Sequence, residues 1–294
     1  MMGGAWLGLA LVVGMLLLAR KRAHRRGFGR DREGEKPGER AGWYVVVGAG
    51  IAMPIVVITA LFVIADLFVI RTTEAPAKTA TQLTVQVIGH QWWWEIRYPG
   101  RGVVTANELH IPTRTPVRLE VRTADVIHSL WVPELNRKID TIPGKTNAIE
   151  FNADTTGVFR GACAEFCGLQ HAQMGIEVFA EAPSSFRAWL AREARPARPP
   201  SDPLARRGLR IFTSGPCSSC HAIAGTRATG DVGPDLTHVA SRSTIGALAL
   251  RNGPHELGEW ITDSQTIKPG NQMPNFRLRG SQLRALVAYL ERLK

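Results

Sequence analysis

The segment Cys163-Ala-Glu-Phe-Cys167-Gly-Leu-Gln-His171-Ala-Gln-Met174 places two thiols, an imidazole and a thioether within twelve residues. Upstream, Asp125-Val-Ile-His128 supplies a second imidazole. Soft sulfur ligands combined with imidazoles favour copper over hard cations. One Cys with a weak Met would suit a mononuclear blue-copper site, but a second Cys four residues later lets two thiolates bridge two metal ions. This stretch therefore predicts a copper site with one imidazole for each of two ions.

Two other uses of paired cysteines fit the segment less well. Zinc sites built from two Cys and two His usually space the thiols two residues apart and rarely add a Met. A thioredoxin-type redox protein needs strands that alternate with helices, which the surrounding sequence does not predict. That alternative also leaves Met174 without a role.

The residues around this motif, from 72 to 191, predict an all-β domain. Polar and apolar residues alternate in 82–88, 117–123 and 146–151, as in half-buried strands. Turns that contain Gly and Pro separate these runs, a pattern typical of a sandwich or barrel. The residues 184–192 then predict a short closing helix.

Two apolar runs precede this region and predict a transmembrane hairpin over residues 1–71, with helices at about 2–19 and 43–70. At about 1.5 Å per residue, each run is long enough to cross a hydrocarbon core. The loop 20–41 begins with five basic residues, Arg20, Lys21, Arg22, Arg25 and Arg26. Such residues keep a short loop cytoplasmic, so we expect the chain after residue 71 to lie outside. A cleaved signal peptide would instead carry its positive charge before the apolar run.

A second cysteine motif, Cys217-Ser-Ser-Cys220-His221, has the C-x-x-C-H pattern of covalent haem c attachment. It follows a proline-rich segment, 192–203, that predicts a stiff linker. The residues 204–294 show helical periodicity and predict an all-α domain. Two cysteines for copper and two for haem account for all four in the chain, which leaves none for a disulfide.

The charge distribution argues against nucleic-acid binding. The chain has 36 Lys and Arg against 25 Asp and Glu, a net charge of +11. The net charge is +5 over residues 1–71, −1 over 72–190 and +7 over 191–294. A nucleic-acid-binding domain would concentrate basic and aromatic residues on one folded face, whereas much of the first surplus lies in the short loop.

Over residues 1 to 190, the motif Cys-x-Glu-x-Cys-Gly-x-x-His-x-x-Met, preceded by Asp-Val-x-His-Ser-x-x-Val-Pro, resembles subunit II of haem-copper cytochrome c oxidases. The resemblance implies a cupredoxin domain, a Greek-key barrel that carries the dinuclear copper A centre. The copper ligands that it implies are His128, Cys163, Cys167, His171, Met174 and the backbone carbonyl of Glu165. It further implies that the Glu165 carboxylate binds Mg²⁺ at the junction with subunit I.

The segment Gly89-His90-Gln91-Trp92-Trp93-Trp94 also matches this family's aromatic segment, with Trp93 where Tyr is usual. The resemblance implies that electrons reach the copper centre near Trp92. An aromatic cluster in a core or at a membrane interface is the other interpretation. We favour it for Trp93 and Trp94.

Residues 203–294 resemble a monohaem cytochrome c. The resemblance implies thioether bonds from Cys217 and Cys220, with His221 and Met273 as axial ligands of the iron. Met273 lies in Lys268-Pro-Gly-Asn-Gln-Met273-Pro274, which resembles the loop that supplies the axial Met. A His/Met pair raises the reduction potential of the iron.

A cytochrome c domain fused to subunit II is typical of caa3-type oxidases, and the chain resembles their subunit II. This similarity implies an oxidoreductase subunit in the bacterial inner membrane, with both metal domains on the periplasmic or outer face. It implies that electrons pass from an external cytochrome donor through haem c and copper A to subunit I, which reduces O2 to water and translocates protons, with subunit III as a further partner. A nitric-oxide reductase that contains copper A is the alternative. A nitrous-oxide reductase needs a His-rich propeller for which this chain has no room, and a stand-alone redox sensor needs no two spans.

Overall fold

The computed structural model describes residues 14, 15, 18, 21, 47–70 and 83–294. The first predicted span and the loop after it lie almost wholly outside these residues, of which 14, 15, 18 and 21 are helical. Helix α1, Met53–Ala65, continues into π-helical turns at Gly48–Ala52 and Asp66–Ile70. Gly48–Phe68 is the one helix in the described residues that is long and apolar enough to cross a membrane.

The predicted all-β domain is confirmed, and ten strands form two five-stranded sheets within residues 83–181. The strands are β1 Leu83–His90, β2 Trp93–Tyr98, β3 Val103–Ala106, β4 Glu108–Pro112, β5 Val117–Thr123, β6 His128–Trp131, β7 Ile139–Thr141, β8 Asn147–Phe151, β9 Gly157–Cys163 and β10 Gly175–Glu181. One sheet has the order β3-β2-β1-β5-β8 and the other β4-β10-β9-β6-β7. The β1/β5 and β4/β10 pairs are parallel, and the other pairs are antiparallel.

The core of this β domain follows the alternation in the sequence. Val117, Leu119 and Val121 on β5 are fully buried, whereas the residues between them are less so. Helix α2, Pro183–Glu193, closes one end, where Trp189 packs edge-on against Tyr98 with ring centroids 5.3 Å apart. The alternation of apolar and polar residues therefore determines which face of each strand packs into the core.

The C-terminal helical domain contains α3 Pro203–Ser214, α4 Cys217–Cys220, α5 Pro254–Ile267 and α6 Gly280–Leu290. The prediction of an all-α domain missed a hairpin of two short strands, β11 Thr244–Ile245 and β12 Leu250–Arg251. Three consecutive residues with positive φ, Gly246 to Leu248, turn the chain between them. Positive φ is costly outside glycine, so the residue types of this turn gave no hairpin signal.

The proline-rich segment between the two domains lies against the helical domain. The Ala197 amide donates to the Ala224 carbonyl at 2.9 Å, and His238 Nε2 lies 3.0 Å from the Arg195 carbonyl. Helix α3 begins directly afterwards, because Asp202 caps it by accepting from the Ala205 amide and Pro203 occupies its first turn. The linker is thus attached to the domain that it precedes at Arg195 and Ala197 and at the start of α3.

Helices α3 and α6 cross in contact at Gly208. A Cβ at this position would overlap the Ala285 carbonyl on α6. We expect Gly208→Ala to lower the free energy of unfolding of the helical domain by about 1–3 kcal/mol, since the backbones would have to separate. Urea titration followed by circular dichroism measures the change.

The matched control is Gly258→Ala on α5, where the nearest atom to the new Cβ would be 3.8 Å away. Removing a glycine from a helix interior stabilises by roughly 0.5–1 kcal/mol, so this variant should unfold at equal or higher urea concentration. Equal stability of Gly208→Ala and the wild type would show that the crossing is looser than described.

A buried ionic cluster surrounds His110 on β4. Its ring stacks between Phe179 and Trp189, and its Nδ1 lies 3.1 Å from a Glu181 carboxylate oxygen. Its Nε2 lies 4.0 Å from Glu108. Burial opposes the charged imidazolium, but the two carboxylates outweigh it and raise the pKa of His110 above 6.5.

This raised pKa predicts a pH dependence of stability. Protonated His110 stabilises the fold fully below its unfolded pKa of about 6.5, and this contribution is lost as the pH rises through the folded pKa. We therefore expect the unfolding free energy to fall above pH 6.5, with a slope of at most about 1.4 kcal/mol per pH unit from this residue. His110→Gln should flatten the slope in denaturant titrations at several pH values. The exposed His255→Gln is the control, and an unchanged slope in His110→Gln would refute the assignment.

Candidate functional site

The two cysteines of the first motif face each other at one end of the β domain. Cys163 ends β9 and Cys167 lies in the following loop, with their Sγ atoms 3.8 Å apart. Both side chains are buried. The Cys163 Sγ also lies 3.2 Å from the backbone carbonyl oxygen of Glu165.

The other predicted ligands lie within 3.9 Å of one or the other sulfur atom. His128 Nδ1 lies 3.9 Å from Cys163 Sγ, and His171 Nδ1 lies 3.7 Å from Cys167 Sγ. Met174 Sδ lies 3.9 Å from Cys167 Sγ. The structure thus gathers all six predicted copper-binding groups, and these are soft donors with one imidazole on each side. This donor set fits copper.

His128 reaches the cluster from another strand because β6 pairs with β9, with Leu130 opposite Cys163. Gly89 leaves room for its ring, since a Cβ there would lie 2.7 Å from His128 Cδ2. Asp125 Oδ1 lies 2.8 Å from His128 Nε2, which directs Nδ1 toward the sulfur atoms. Burial disfavours the imidazolium, but Asp125 and then Cys163 raise the pKa of His128.

Asp125 is a functional residue that the sequence reasoning quoted without giving it a role. Its carboxylate also accepts from the backbone amides of Gln91 and Val126, each at 2.6 Å. Burial works against ionisation, but these hydrogen bonds, led by that with His128, lower the pKa of Asp125. The three-residue spacing from His128 was the available signal.

The two thiols shift each other's pKa in opposite directions. A hydrogen bond from Cys167 lowers the pKa of Cys163, and the same pairing raises the pKa of Cys167 because a second thiolate beside the first is disfavoured. A second thiolate therefore needs a cation between the sulfur atoms. This is the charge that a metal ion supplies.

Trp92 packs against the copper-binding loop. Its indole Nε1 donates to the Cys167 carbonyl at 2.9 Å, and the Gln91 side-chain amide donates to the same oxygen at 2.8 Å. Trp93 instead stacks on His90 with ring centroids 4.3 Å apart, and Trp94 is fully buried. Trp92 thus contacts the loop directly, whereas the ring of Trp94 lies 5.9 Å from that of His128, on the strand side of the site.

A cavity of about 560 Å³ occupies the helical domain. Cys217, Cys220, His221 and Met273 all line it, and so does Trp92 of the β domain. The second cysteine motif therefore opens into a space next to the aromatic residue of the first site. Its apolar lining suits a flat, largely hydrophobic cofactor.

His221 is oriented for an iron in this cavity. Its Nδ1 lies 2.7 Å from the Pro234 carbonyl, and burial lowers its pKa. A neutral ring that donates from Nδ1 leaves the Nε2 lone pair free to bind a metal. Gly233 packs against the ring, where a Cβ would lie 2.6 Å from Cε1.

The loop that carries Met273 is fixed by side chains of α5. The Met273 carbonyl accepts from Ser264 Oγ at 3.1 Å and from Gln265 Nε2 at 3.0 Å, and its amide donates to Asn271 Oδ1 at 2.8 Å. Arg242 also lines the cavity, and its buried Nε has no hydrogen-bond partner among the described residues. A haem carries carboxylates that such a guanidinium can bind, so the lining fits this cofactor.

Comparison with known families supports both halves of this description. The family described as "Cytochrome C oxidase subunit II, periplasmic domain" matches residues 101–181, and the family "Cytochrome c" matches residues 205–294. Cytochrome c oxidase subunit 2 of Bacillus sp. (strain PS3) is 32% identical over 256 residues, which are 83% of this chain and 70% of that protein. The chain belongs to the cytochrome c oxidase subunit 2 family.

Two further matches extend the comparison. Subunit 2 of Alkalihalophilus pseudofirmus is 38% identical over 211 residues, covering 71% of this chain and 61% of that protein, so the chain spans less than two thirds of that relative's length. The solved periplasmic domain of subunit II (CoxB) of Bradyrhizobium japonicum is 32% identical and covers 40% of this chain and 96% of that one, with a TM-score of 0.38. The two matched families imply copper A in a cupredoxin-like domain and haem c in a cytochrome c domain, as the sequence predicts.

Proposed function

We propose that this chain is subunit II of a caa3-type haem-copper oxidase. It accepts electrons from an external donor at haem c and passes them through dinuclear copper A to subunit I, which reduces O2 to water and translocates protons. One observation carries the proposal: Trp92 lines the cavity of the haem motif and also donates a hydrogen bond to the Cys167 carbonyl of the copper loop. The two candidate sites therefore share a residue.

The copper pair would be held by His128, Cys163, Cys167, His171, Met174 and the Glu165 carbonyl. When bound, it supplies one-electron transfer with little rearrangement of its ligands. The residues of the chain prepare this site in advance. Asp125 orients His128, and the buried loop keeps both sulfur atoms within 3.8 Å of each other.

The Glu165 carboxylate is proposed as a Mg²⁺ ligand at the junction with subunit I. Its side chain is half-buried and makes no hydrogen bond or ion pair within residues 83–294. Carboxylate oxygens are the donors that Mg²⁺ prefers. The carbonyl and the carboxylate of one residue would then face two different metals.

The haem would be attached through Cys217 and Cys220, and His221 and Met273 would hold its iron. When bound, it supplies one-electron chemistry at a raised potential. His221 is held by the Pro234 carbonyl, and Met273 by α5. Trp92 is the residue that we propose to lie on the electron path between the two groups.

The membrane arrangement follows the sequence. We propose a two-helix hairpin in the bacterial inner membrane, with the loop 20–41 in the cytoplasm and both metal domains, including a Greek-key cupredoxin barrel, outside. The apolar helix Gly48–Phe68 supports the second span. The partners are subunits I and III in the membrane and a cytochrome as external donor.

Purification of the full chain with its membrane partners tests this function. We expect a large subunit to co-purify that contains a copper opposite a high-spin haem, and the complex to consume O2 when reduced cytochrome is supplied. Cys217→Ser should remove most of this activity. Consumption of nitric oxide without O2 uptake would instead identify a nitric-oxide reductase and refute the proposal.

A further inference from the structure

We propose that Lys268 locks the helical domain onto the β domain and positions the haem site for electron transfer to the copper site. This inference rests on the proposed function. Lys268 is 3% exposed. Its ammonium donates to the carbonyls of Trp92 at 3.2 Å, Gln173 at 2.9 Å and Gly246 at 3.1 Å.

These three acceptors account for the whole hydrogen-bonding capacity of an ammonium group, which has three donors and no acceptor. A buried charge is costly unless such partners surround it. Two of the carbonyls belong to the β domain and one to the helical domain. The lysine keeps all three carbonyl partners only while the two domains are in contact. A shift of one domain that left the ammonium buried would leave one or two of its N–H groups unpaired.

The place of Lys268 connects the two candidate sites directly. It lies five residues before Met273, at the start of the loop that carries this predicted axial ligand. Its acceptor Gln173 precedes the predicted copper ligand Met174 in the chain, and its acceptor Trp92 donates to the Cys167 carbonyl. One side chain thus joins the Met273 loop to two segments of the copper site.

Neighbouring contacts make this interface specific. The Gln170 side-chain amide donates to the Pro269 carbonyl, and the Gly175 amide donates to the Ala247 carbonyl at 3.3 Å. A Cβ on Gly175 would lie 2.6 Å from Leu248 Cδ1, so the absence of a side chain allows this approach.

A second group of contacts lies at Ser243 of the helical domain. Its hydroxyl lies 2.7 Å from Glu108 and 2.8 Å from Glu177, whose carboxylates are buried in the β domain. The Ser243 amide also donates to Glu108 at 2.6 Å. Buried polar contacts of this kind disfavour alternative docking positions, because each shift would leave several groups unpaired.

The test uses the full chain with its partners and the variant Lys268→Met, which keeps an unbranched side chain but removes the charge. The control is Lys145→Met, because Lys145 is exposed. Two quantities are measured: hydrogen exchange of the backbone amides in 167–175, and the rate of electron transfer between haem and copper after photochemical reduction of the haem. We expect both to change by about ten- to hundredfold in Lys268→Met, with faster exchange and slower transfer. Neither should change in the control.

The haem potential separates positioning from a change in the cofactors. Because Lys268 also lines the haem cavity, loss of its charge is expected to lower this potential. Transfer that is slower than the measured change in potential accounts for therefore reports the geometry. Ser243→Ala provides a milder variant at a residue that belongs to neither predicted ligand set, and it should also raise exchange in 167–175. Wild-type exchange in both variants would overturn the role of Lys268. Absence of copper and haem absorption from the wild-type complex would instead overturn the proposed function, and the exchange data would still report on domain contact.

Discussion

Under the proposed function, replacing Cys163 or Cys167 by Ser is expected to abolish the near-infrared absorption that a mixed-valence copper pair gives. Each thiolate lies beside the other and beside one imidazole, so neither can be replaced without uncoupling the two metal positions. A serine hydroxyl is a hard and weakly acidic ligand, which does not suit copper bridged by soft sulfur. Absorption spectroscopy of the purified complex measures the band.

The matched control exchanges a cysteine of the other motif. Cys217→Ser should weaken covalent haem attachment and keep the near-infrared band, because Cys217 lines the cavity and is not part of the sulfur cluster. Retention of the band in Cys163→Ser or Cys167→Ser would show that the metal site is not a thiolate-bridged pair. Loss of the band in all three variants would point to misfolding, which circular dichroism detects.

Met273→Ala is expected to leave the haem attached and to lower its reduction potential by on the order of 0.1–0.3 V, within the roughly 0.8 V that axial ligands span. Under the proposed function, attachment depends on Cys217 and Cys220, whereas the thioether of Met273 would favour the reduced iron. The Met273 loop is held by Ser264 and Gln265, which keeps Met273 in the lining of the cavity. A spectroelectrochemical titration measures the potential.

Met174→Ala is the control for this change, since Met174 is also a buried thioether but lies 3.9 Å from Cys167 Sγ. It should leave the haem potential at the wild-type value and change the copper spectrum. An unchanged haem potential in Met273→Ala would show that a different residue ligates the iron.

The sequence alone could propose most members of the two candidate ligand sets, because their donor groups are concentrated in short segments. Cys163 to Met174 lie within twelve consecutive residues, and Cys217 to His221 lie in one helical turn and the residue after it. Local spacing therefore nearly determines which side chains can meet. The sequence offers His128 as the second imidazole, but its approach to the cysteines depends on the pairing of β6 with β9, which local spacing does not show.

The contact between the domains had no such signal. Lys268 and Trp92 are 176 residues apart, and the acceptors are backbone carbonyls, which every residue type carries. Charge counting does not distinguish buried from exposed basic residues, and here Lys268 is buried and Arg242 lines the cavity. The net charge of +7 over 191–294 therefore overstates what the surface of the helical domain presents to a partner.

The bound linker has a kinetic consequence under the proposed function. The segment before α3 is hydrogen-bonded to the helical domain, and Lys268 of that domain is hydrogen-bonded to Trp92. The haem and the copper site therefore need not diffuse toward each other. The transfer from haem to copper is then a first-order process, whose rate is independent of protein concentration. Ionic strength and cytochrome concentration act only on the bimolecular step that reduces the haem. At saturating donor, the rate of the internal transfer is therefore expected to be constant.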